Sequence, residues 1–483
     1  MVASPSLPRY RCTAVQCLSG VMSVSRGYVP TPPAIVDQMV QKLFAERRPT
    51  AADILLDPGC GEGQLLEGVA RVCARQGWAS PRMVGVELDP VRADLARSRL
   101  AGVHGVEVHN ADFLRGSDTR YDWIIGNPPY VGLEALGEAE RQDFRSRYST
   151  ARGRFDLYVL FFEQSLRLLK SDGTLVFITP EKYLYVETGR PLRQLLLAAG
   201  VHELHCVDED AFAPLVTYPL ITTLRYNATN DFTKVVERTG RERRVVLRDE
   251  SSWMPVALGF ETDRAGTTAT LEQGMRRISC GAATGADAVF VVPTASLPRA
   301  LTPFAHPTLS GRQLHPNGTW ESTDSLLAPY DSSGRLLTPT SLGALGSYLD
   351  ASRAELSART CARHKPWYAW HDNLPLSDML RPKLLCKDIT AEPFFVMDTE
   401  GVIVPRHSLY YLVPRDPELL PQWCEYLNSE SARAWIRAHA QRAAKGFFRV
   451  QSSVLKQLPV PQHLVVPDSP TEGGVLQPEL QWA

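Results

Sequence analysis

Cysteine is scarce in this 483-residue chain, and the nine present form no Cys-x-x-Cys pair and no Cys/His cluster at zinc spacing. That spacing excludes a zinc ribbon and a dithiol redox motif, so no metal site is expected and reduced cytosolic thiols are the simplest reading. No uninterrupted apolar run of about 18 residues occurs, so no membrane partner is expected. An excess of basic residues is missing as well. The 52 Lys+Arg against 53 Asp+Glu leave a formal charge of −1, so any contact with nucleic acid must come from a local patch. Residues 1–26 lack the long apolar core of a secretion signal and read as a disordered extension, with Met22 as an alternative start. No internal repeat is visible. A cytoplasmic monomer is the expectation.

What is present is ordinary globular material, 44% hydrophobic and 22% charged, at a length that predicts two domains. Between Asp53 and Tyr226 short β-branched runs alternate with amphipathic segments. Strands are predicted at 53–57, 82–88, 106–110, 121–126, 174–180, 202–207 and 220–226. Helices are predicted at "GQLLEGVARVCARQG", "DPVRADLARSRLA", "FDLYVLFFEQSLRLLK" and "RPLRQLLLAAG", with Asp89-Pro90 as a start signal and Gly173 as a stop. This alternation predicts a seven-stranded, Rossmann-like α/β sheet covered on both faces. The last two strands follow without a helix between them, so one should be antiparallel. Beyond residue 230 the rhythm fails. Irregular strand-like pieces ("AVFVVP", "KLLCKDI", "LYYLV") and helical ones ("SYLDASRAELSAR", "PQWCEYLNSESARAWIRAHAQRAA") predict a mixed α+β second domain. The expected boundaries are 1–26 extension, 27–232 first domain, 235–462 second domain and 463–483 flexible tail.

In "ILLDPGCGEGQLLEGVA", Gly59, Gly61 and Gly63 stand between a strand and a helix, where the backbone must turn tightly and approach a ligand. The G-x-G-x-G spacing is not that of a nicotinamide site, and no G-K-[ST] follows as in a Walker loop. Asp57 ahead of it would repel a pyrophosphate but accept from a cationic amino group. Glu87 ends the next strand, placed to accept from both hydroxyls of a ribose. Asp112 in "NADFL" follows the third, where it could accept from an adenine amine while Phe113 packs on the ring. Three acids at successive strand ends suit S-adenosyl-L-methionine; capping of turns is the competing structural reading.

The run "YDWIIGNPPYVG" ends a buried strand in Asn127, Pro128, Pro129 and Tyr130. The prolines break the ladder and stiffen the backbone, so Asn127 and Tyr130 project in a fixed direction. A conjugated amine is a poor nucleophile. Two acceptors on its hydrogens, the Asn127 amide oxygen and the Pro128 carbonyl, would pyramidalise the nitrogen and aim its lone pair, while Tyr130 stacks on the base. A base in duplex DNA must be flipped out to reach such a place.

These motifs, in this order, resemble the adenine-N6 DNA methyltransferases of restriction-modification systems, and most of all the TaqI-like enzymes with the gamma order. "GYVPTPPAIVDQMV", "DPGCGEG", "GVELDP", "NADFL", "GNPPY", "RFDLYVLFFEQSLRLLKSDGTLVFITPEKYL" and "DAFAPLVTYPLITTLRY" carry the resemblance over residues 27–226. It implies that Thr31 and Pro32 touch the cofactor's methionine part, that Pro129 joins Asp57, Gly59, Gly61, Glu87 and Asp112 around the cofactor, and that Phe212 packs on the other face of the flipped base. It also implies a target-recognition domain after residue 235 and duplex DNA as partner, and leaves room for a separate cognate restriction endonuclease. Residues 431–460 carry Arg433, Arg437, Arg442, Lys445, Arg449 and Lys456 with no acid, a candidate phosphate-binding run. "ARHKPWYAW" is a second, weaker candidate. Cytosine-N4 methylation, glutamine-N5 protein methylation and RNA methylation remain open, since all use the same acceptors. A non-catalytic DNA-binding subunit would have lost Asp57, Asn127 or Tyr130, and all three are present.

Overall fold

The computed structural model describes residues 27–212, 218–226, 231–258, 269–315, 317–372, 375–443 and 446–465. The chain divides into two compact units, meeting in sequence at Thr262 and Asp263.

The first unit opens with α1 (Pro33–Leu43) and runs β1 (Ile54–Asp57), α2 (Gln64–Gln76), β2 (Arg82–Glu87), α3 (Pro90–Arg99), β3 (Val106–Asn110), β4 (Tyr121–Gly126), α4 (Glu138–Arg147) and α5 (Leu157–Leu168). It continues as β5 (Leu169–Pro180), α6 (Arg190–Ala199), β6 (Val201–Cys206), β7 (Pro219–Arg225), β8 (Thr233–Val236) and β9 (Glu242–Val245). The sheet order is β3-β2-β1-β4-β5-β7-β6-β8-β9. Strands β1 to β5 are mutually parallel and β7 is antiparallel to both neighbours, as expected of one of the last two predicted strands.

Why these segments take these forms is legible locally. Apolar residues on both faces of the central strands (Leu55 and Leu56, Ile124 and Ile125, Val176 and Phe177) are fully buried, which requires helices above and below. On one side, α1 and α2 bury Val36, Met39, Val40, Leu65, Val69 and Val72 with Met83 and Val176. On the other, α5 and α6 bury Leu160, Phe162, Leu192 and Leu196 with Ile124 and Phe177. The Asp89 carboxylate caps α3 by accepting from the Val91 N–H at 2.8 Å, with Pro90 in the first turn, as the sequence signal requires.

Two expectations need correction. Gly173 is not a helix stop. α5 ends at Leu168 and passes directly into β5, where a Cβ on Gly173 would lie 2.7 Å from Leu169 Cδ1 and 3.0 Å from the Asp122 carbonyl oxygen. The first unit also runs past residue 232, because β8 pairs parallel with β6 and β9 closes the sheet, giving nine strands and a boundary at Thr262.

The second unit is mixed α+β. Strands at Met275–Cys280, Leu409–Pro414, Lys383–Lys387 and Phe395–Asp398 form an antiparallel sheet in that order. Helices Leu420–Leu427 and Glu430–His439 contribute Trp423, Leu427 and Ile436 to a core shared with Leu384, Phe395 and Leu412. The single long helical segment expected at 421–444 is two helices, because Ser429 caps the second by accepting from the Ala432 N–H at 3.3 Å. A second core gathers Phe290, Leu326, Leu345, Trp370 and Tyr411. "AVFVVP" is half as expected: Asp287–Phe290 forms a helical turn and only Val291–Pro293 is strand. The expected 1–26 extension and all of the expected tail beyond residue 465 lie outside the described residues.

Candidate active site

β1, β2, β3 and β4 are parallel, so Asp57, Glu87, Asp112 and Asn127 all come to one edge of the sheet. This is the edge at which open α/β sheets bind ligands. Asp57 is completely buried. Its Oδ1 accepts a long hydrogen bond from the Gly59 N–H at 3.4 Å, and its Oδ2 has no partner. Burial pushes this carboxyl up, the Gly59 N–H works against that, and repulsion from Glu87 adds to it, giving about 8. A buried carboxylate oxygen without a donor fits a cationic group arriving from outside the chain. The fit to an amino acid's ammonium rests on this orphaned atom.

Glu87 does more than face a ribose. Its Oε2 accepts from the Gly61 N–H at 2.9 Å and its Oε1 from the Asp89 N–H at 2.8 Å. It therefore holds the Gly-rich turn in shape, with each oxygen keeping a second lone pair. Gly61 has φ +53 and a Cβ there would lie 2.4 Å from Tyr28 Cε2, so the turn has no room for a larger residue. Gly63, at φ +84, starts α2. The Asp112 carboxylate accepts from the Leu114 N–H at 2.9 Å and lies 3.4 Å from Arg115 Nε, so it does cap a turn, and burial raises it. Phe113 is 3% exposed and packs on Phe161 with ring centroids 5.2 Å apart. The ring expected to meet an adenine is thus part of the core beneath that turn.

Leu88, which sequence reasoning missed, is 63% exposed directly after Glu87. Tyr28 and Arg92 were missed too: the Arg92 guanidinium lies 4.7 Å over the Tyr28 ring and 3.1 Å from Asp89. Their signal was faint, a tyrosine inside "GYVPTPP" and an arginine in a helix.

At the end of β4 the Asn127 amide is fixed. Its Nδ2 donates to the Val29 carbonyl at 3.0 Å and to Thr31 Oγ1 at 3.1 Å, while Oδ1 is buried and unpartnered. The Val29 carbonyl can only accept, which identifies the NH2 end and leaves the oxygen as the free end. Tyr130 is anchored by its N–H to the Gly27 carbonyl at 3.3 Å, and its hydroxyl makes a long contact, 3.5 Å, to the Ile178 carbonyl. Burial holds that phenol above its ordinary range. Segment 27–31 thus lies along N-P-P-Y, and Thr31 is buried there. Pro32 precedes the first turn of α1, Pro128 is buried, and Gly59 lies close to Pro129, whose Cδ would be 3.9 Å from an added Cβ. Phe212 is 6% exposed and belongs to the core cluster that includes residues of α1 and α2.

A cleft of about 490 Å³ beyond the Asp112 turn is lined by Arg115, Arg120, Arg147 and Arg167. Those guanidiniums are engaged with Asp112, the Leu169 carbonyl, Asp143 and Glu163 respectively, which accounts for them structurally.

In the second unit the expected basic run meets acids from elsewhere in the fold. Arg437 pairs with Glu392 and Glu430, Arg433 lies 3.9 Å from each of the same two, and Arg449 lies 3.2 Å from Asp388. Lys456 is 3.1 Å from Glu272. The run is acid-free in sequence, yet four of its cations have acid partners in space. Lys445 lies outside the described residues, and Arg442 makes a partner contact of its own.

Residues 85–212 match the family model of the Eco57I restriction-modification methylase, and residues 328–460 that of the TaqI-like C-terminal specificity domain. The chain therefore carries a restriction-modification methylase domain followed by a TaqI-like specificity domain. Its relatives are Type II methyltransferases. M.PaeR7I of Pseudomonas aeruginosa is 27% identical over 97% of this chain and 91% of its own length. M.XhoI of Xanthomonas vasicola is 26% identical over 78% and 75%. Among solved structures, the Type IIL restriction-modification enzyme MmeI superposes with a TM-score of 0.61 at 12% identity, over 89% of this chain and 63% of that one, a likeness of fold.

Proposed function

We propose that this chain transfers a methyl group from S-adenosyl-L-methionine to the N6 amine of an adenine flipped out of duplex DNA, as the modification enzyme of a bacterial restriction-modification system. The observation that carries the reading is the Asn127 amide, pinned through its NH2 at the end of β4 so that its buried oxygen is left without a partner. The methylase and specificity domains, and the Type II relatives, support the same reaction class.

The cofactor would lie along the turn after β1, its ammonium on Asp57 Oδ2, its ribose at Glu87, and its adenine between Leu88 and the Asp112 turn, with Thr31, Pro32 and Pro129 at the methionine end. When bound it supplies an electrophilic carbon attached to a sulfonium. The chain's own part is to prepare the nucleophile. Asn127 Oδ1 and the Pro128 carbonyl accept the two amine hydrogens, which withdraws the nitrogen lone pair from conjugation with the ring and directs it. Tyr130 stacks on the base and excludes water, and its raised phenol stays neutral, so it takes no proton. No strong base is required, because the nitrogen sheds a proton as it gains positive charge. Position and preorganised acceptors account for the catalysis.

The same acceptors would serve the N4 amine of cytosine; serine is usual in place of Asn127 in those enzymes, which favours adenine. The deciding experiment incubates the purified chain with duplex DNA and tritiated cofactor, then digests the DNA to nucleosides. Label in N6-methyl-2′-deoxyadenosine is expected. Label in N4-methylcytosine would replace the base assignment, and label in protein alone would end the reading.

A further inference from the structure

We infer that Arg276, Arg277 and Arg381 form a phosphate-gripping site of the second unit, through which the chain holds the backbone of duplex DNA. Successive residues of a regular strand point to opposite faces. Here the pairing of Met275–Cys280 with Leu409–Pro414 shifts register between Met275 and Arg277. A bulge of this kind re-aims a side chain. As a result two consecutive arginines are exposed on the same side and reach the same carboxylate: Arg276 Nε lies 3.1 Å from Asp378 Oδ1 and Arg277 Nε 3.1 Å from Asp378 Oδ2. Arg381 Nε approaches the same Oδ1 at 3.7 Å.

One bidentate guanidinium would satisfy a carboxylate. Three converge on this one, so three positive charges against one negative leave a local +2. The contacts use the Nε atoms, and among the described residues the Nη groups of all three make no hydrogen bond or ion pair. Their side chains are 54%, 42% and 47% exposed. Asp378 itself is buried and serves as a hub that holds three half-exposed guanidiniums in one cluster. Guanidinium forks match phosphate oxygens. The contrast with the C-terminal run is direct. There each of Arg433, Arg437, Arg449 and Lys456 has an acid of its own among Glu392, Glu430, Asp388 and Glu272, whereas at the bulge three guanidiniums share one. The bulge thus gathers three guanidiniums on a single carboxylate, where the sequence alone gave no run to notice.

The site deepens the DNA reading and rests on it. Duplex affinity of the full chain is measured by fluorescence anisotropy as salt is varied. The slope of log Kd against log salt should shrink by about 2.7 in Arg276→Gln/Arg277→Gln/Arg381→Gln, at about 0.9 per lost phosphate contact. Arg381→Gln alone should shrink it by about 0.9. That variant leaves Asp378 its two nearer partners, so it decides the matter even where the triple variant does not fold. Arg433→Gln/Arg437→Gln/Arg449→Gln should change the slope less than the triple at the bulge. An unaltered slope in folded Arg381→Gln, or an equal loss in both triples, overturns the inference while leaving the DNA reading intact. A wild-type chain that ignores duplex DNA at low salt overturns that reading itself.

Discussion

The Asn127 amide makes two separable contributions, and its removal has a cost on each. Asn127→Ala deletes the acceptor that faces the target amine. Loss of one preorganised hydrogen-bonding group from a buried reaction centre lowers kcat by about 10²–10³, equivalent to about 2.7–4 kcal/mol. It also deletes the donors to Val29 and Thr31, two hydrogen bonds of 3.0 and 3.1 Å, with an expected stability loss of about 1–3 kcal/mol at about 0.5–1.5 each. Single-turnover methylation at saturating cofactor and DNA reads the first; a thermal melt reads the second. Thr31→Val is the control, since it removes one partner of the amide and no part of the acceptor. It should retain most of the stability and lower kcat by less than Asn127→Ala. An unchanged single-turnover rate in Asn127→Ala, with the protein folded and the cofactor bound, would refute the assignment of the free oxygen to the reaction.

Two further outcomes follow from buried charge. Asp57 titrates near 8 in the fold against about 3.9 in an unfolded chain, so its protonated form contributes stability that is complete below about 3.9 and is lost as pH rises through about 8. A bound ammonium favours the carboxylate, so cofactor uptake at neutral pH should release a proton and tighten as pH rises towards 8. Calorimetry in buffers of differing ionisation enthalpy measures the release, which Asp57→Asn should abolish; a wild type that releases none contradicts the argument. In the second unit, Lys383 and Asp398 form an ion pair at 0% and 1% exposure, and Asp398 also accepts from the N–H groups of Gly401 and Ile403 at 3.0 and 2.9 Å. Lys383→Met strands that carboxylate and should cost about 3–5 kcal/mol in denaturant melts, with Lys383→Met/Asp398→Asn costing less. Equal costs would mean that the charge is not what destabilises.

Legibility in the sequence tracked the length and apolarity of each segment. Strands such as "YDWIIG" bury every residue and announce themselves, whereas β8 and β9 hold four residues each. β9, "ERRV", is a charged edge strand with one face in water, and charge at an edge is what discourages further pairing. A run of that kind resembles a loop until its neighbour is known. Gly173 misled for a related reason. Glycine after an amphipathic run commonly ends a helix, but here close packing against Leu169 and Asp122 required it inside a strand.

At the site, sequence order named the strand ends but not what each side chain does there. Glu87 was read as a ribose acceptor, and its backbone partners Gly61 and Asp89 became visible only when the turn was folded against it. The amide of Asn127 has two chemically similar ends, and nothing in "GNPPY" decides which faces the substrate. Val29 and Thr31, 98 and 96 residues away in sequence, decide it by accepting from the nitrogen. The first motif therefore does more than the resemblance implied for Thr31. By using up both donors of Asn127 it leaves an acceptor free, and an acceptor is the polarity that an amine nucleophile requires. The basic run at 431–460 reads differently once it is folded. Charge counted along a chain cannot see Glu392 or Asp388 arriving from the bends between other strands, nor a bulge that turns two neighbouring arginines to one side. Electrostatic function is a property of the folded neighbourhood, and along a sequence it is legible only where local geometry is already fixed, as at the prolines after Asn127.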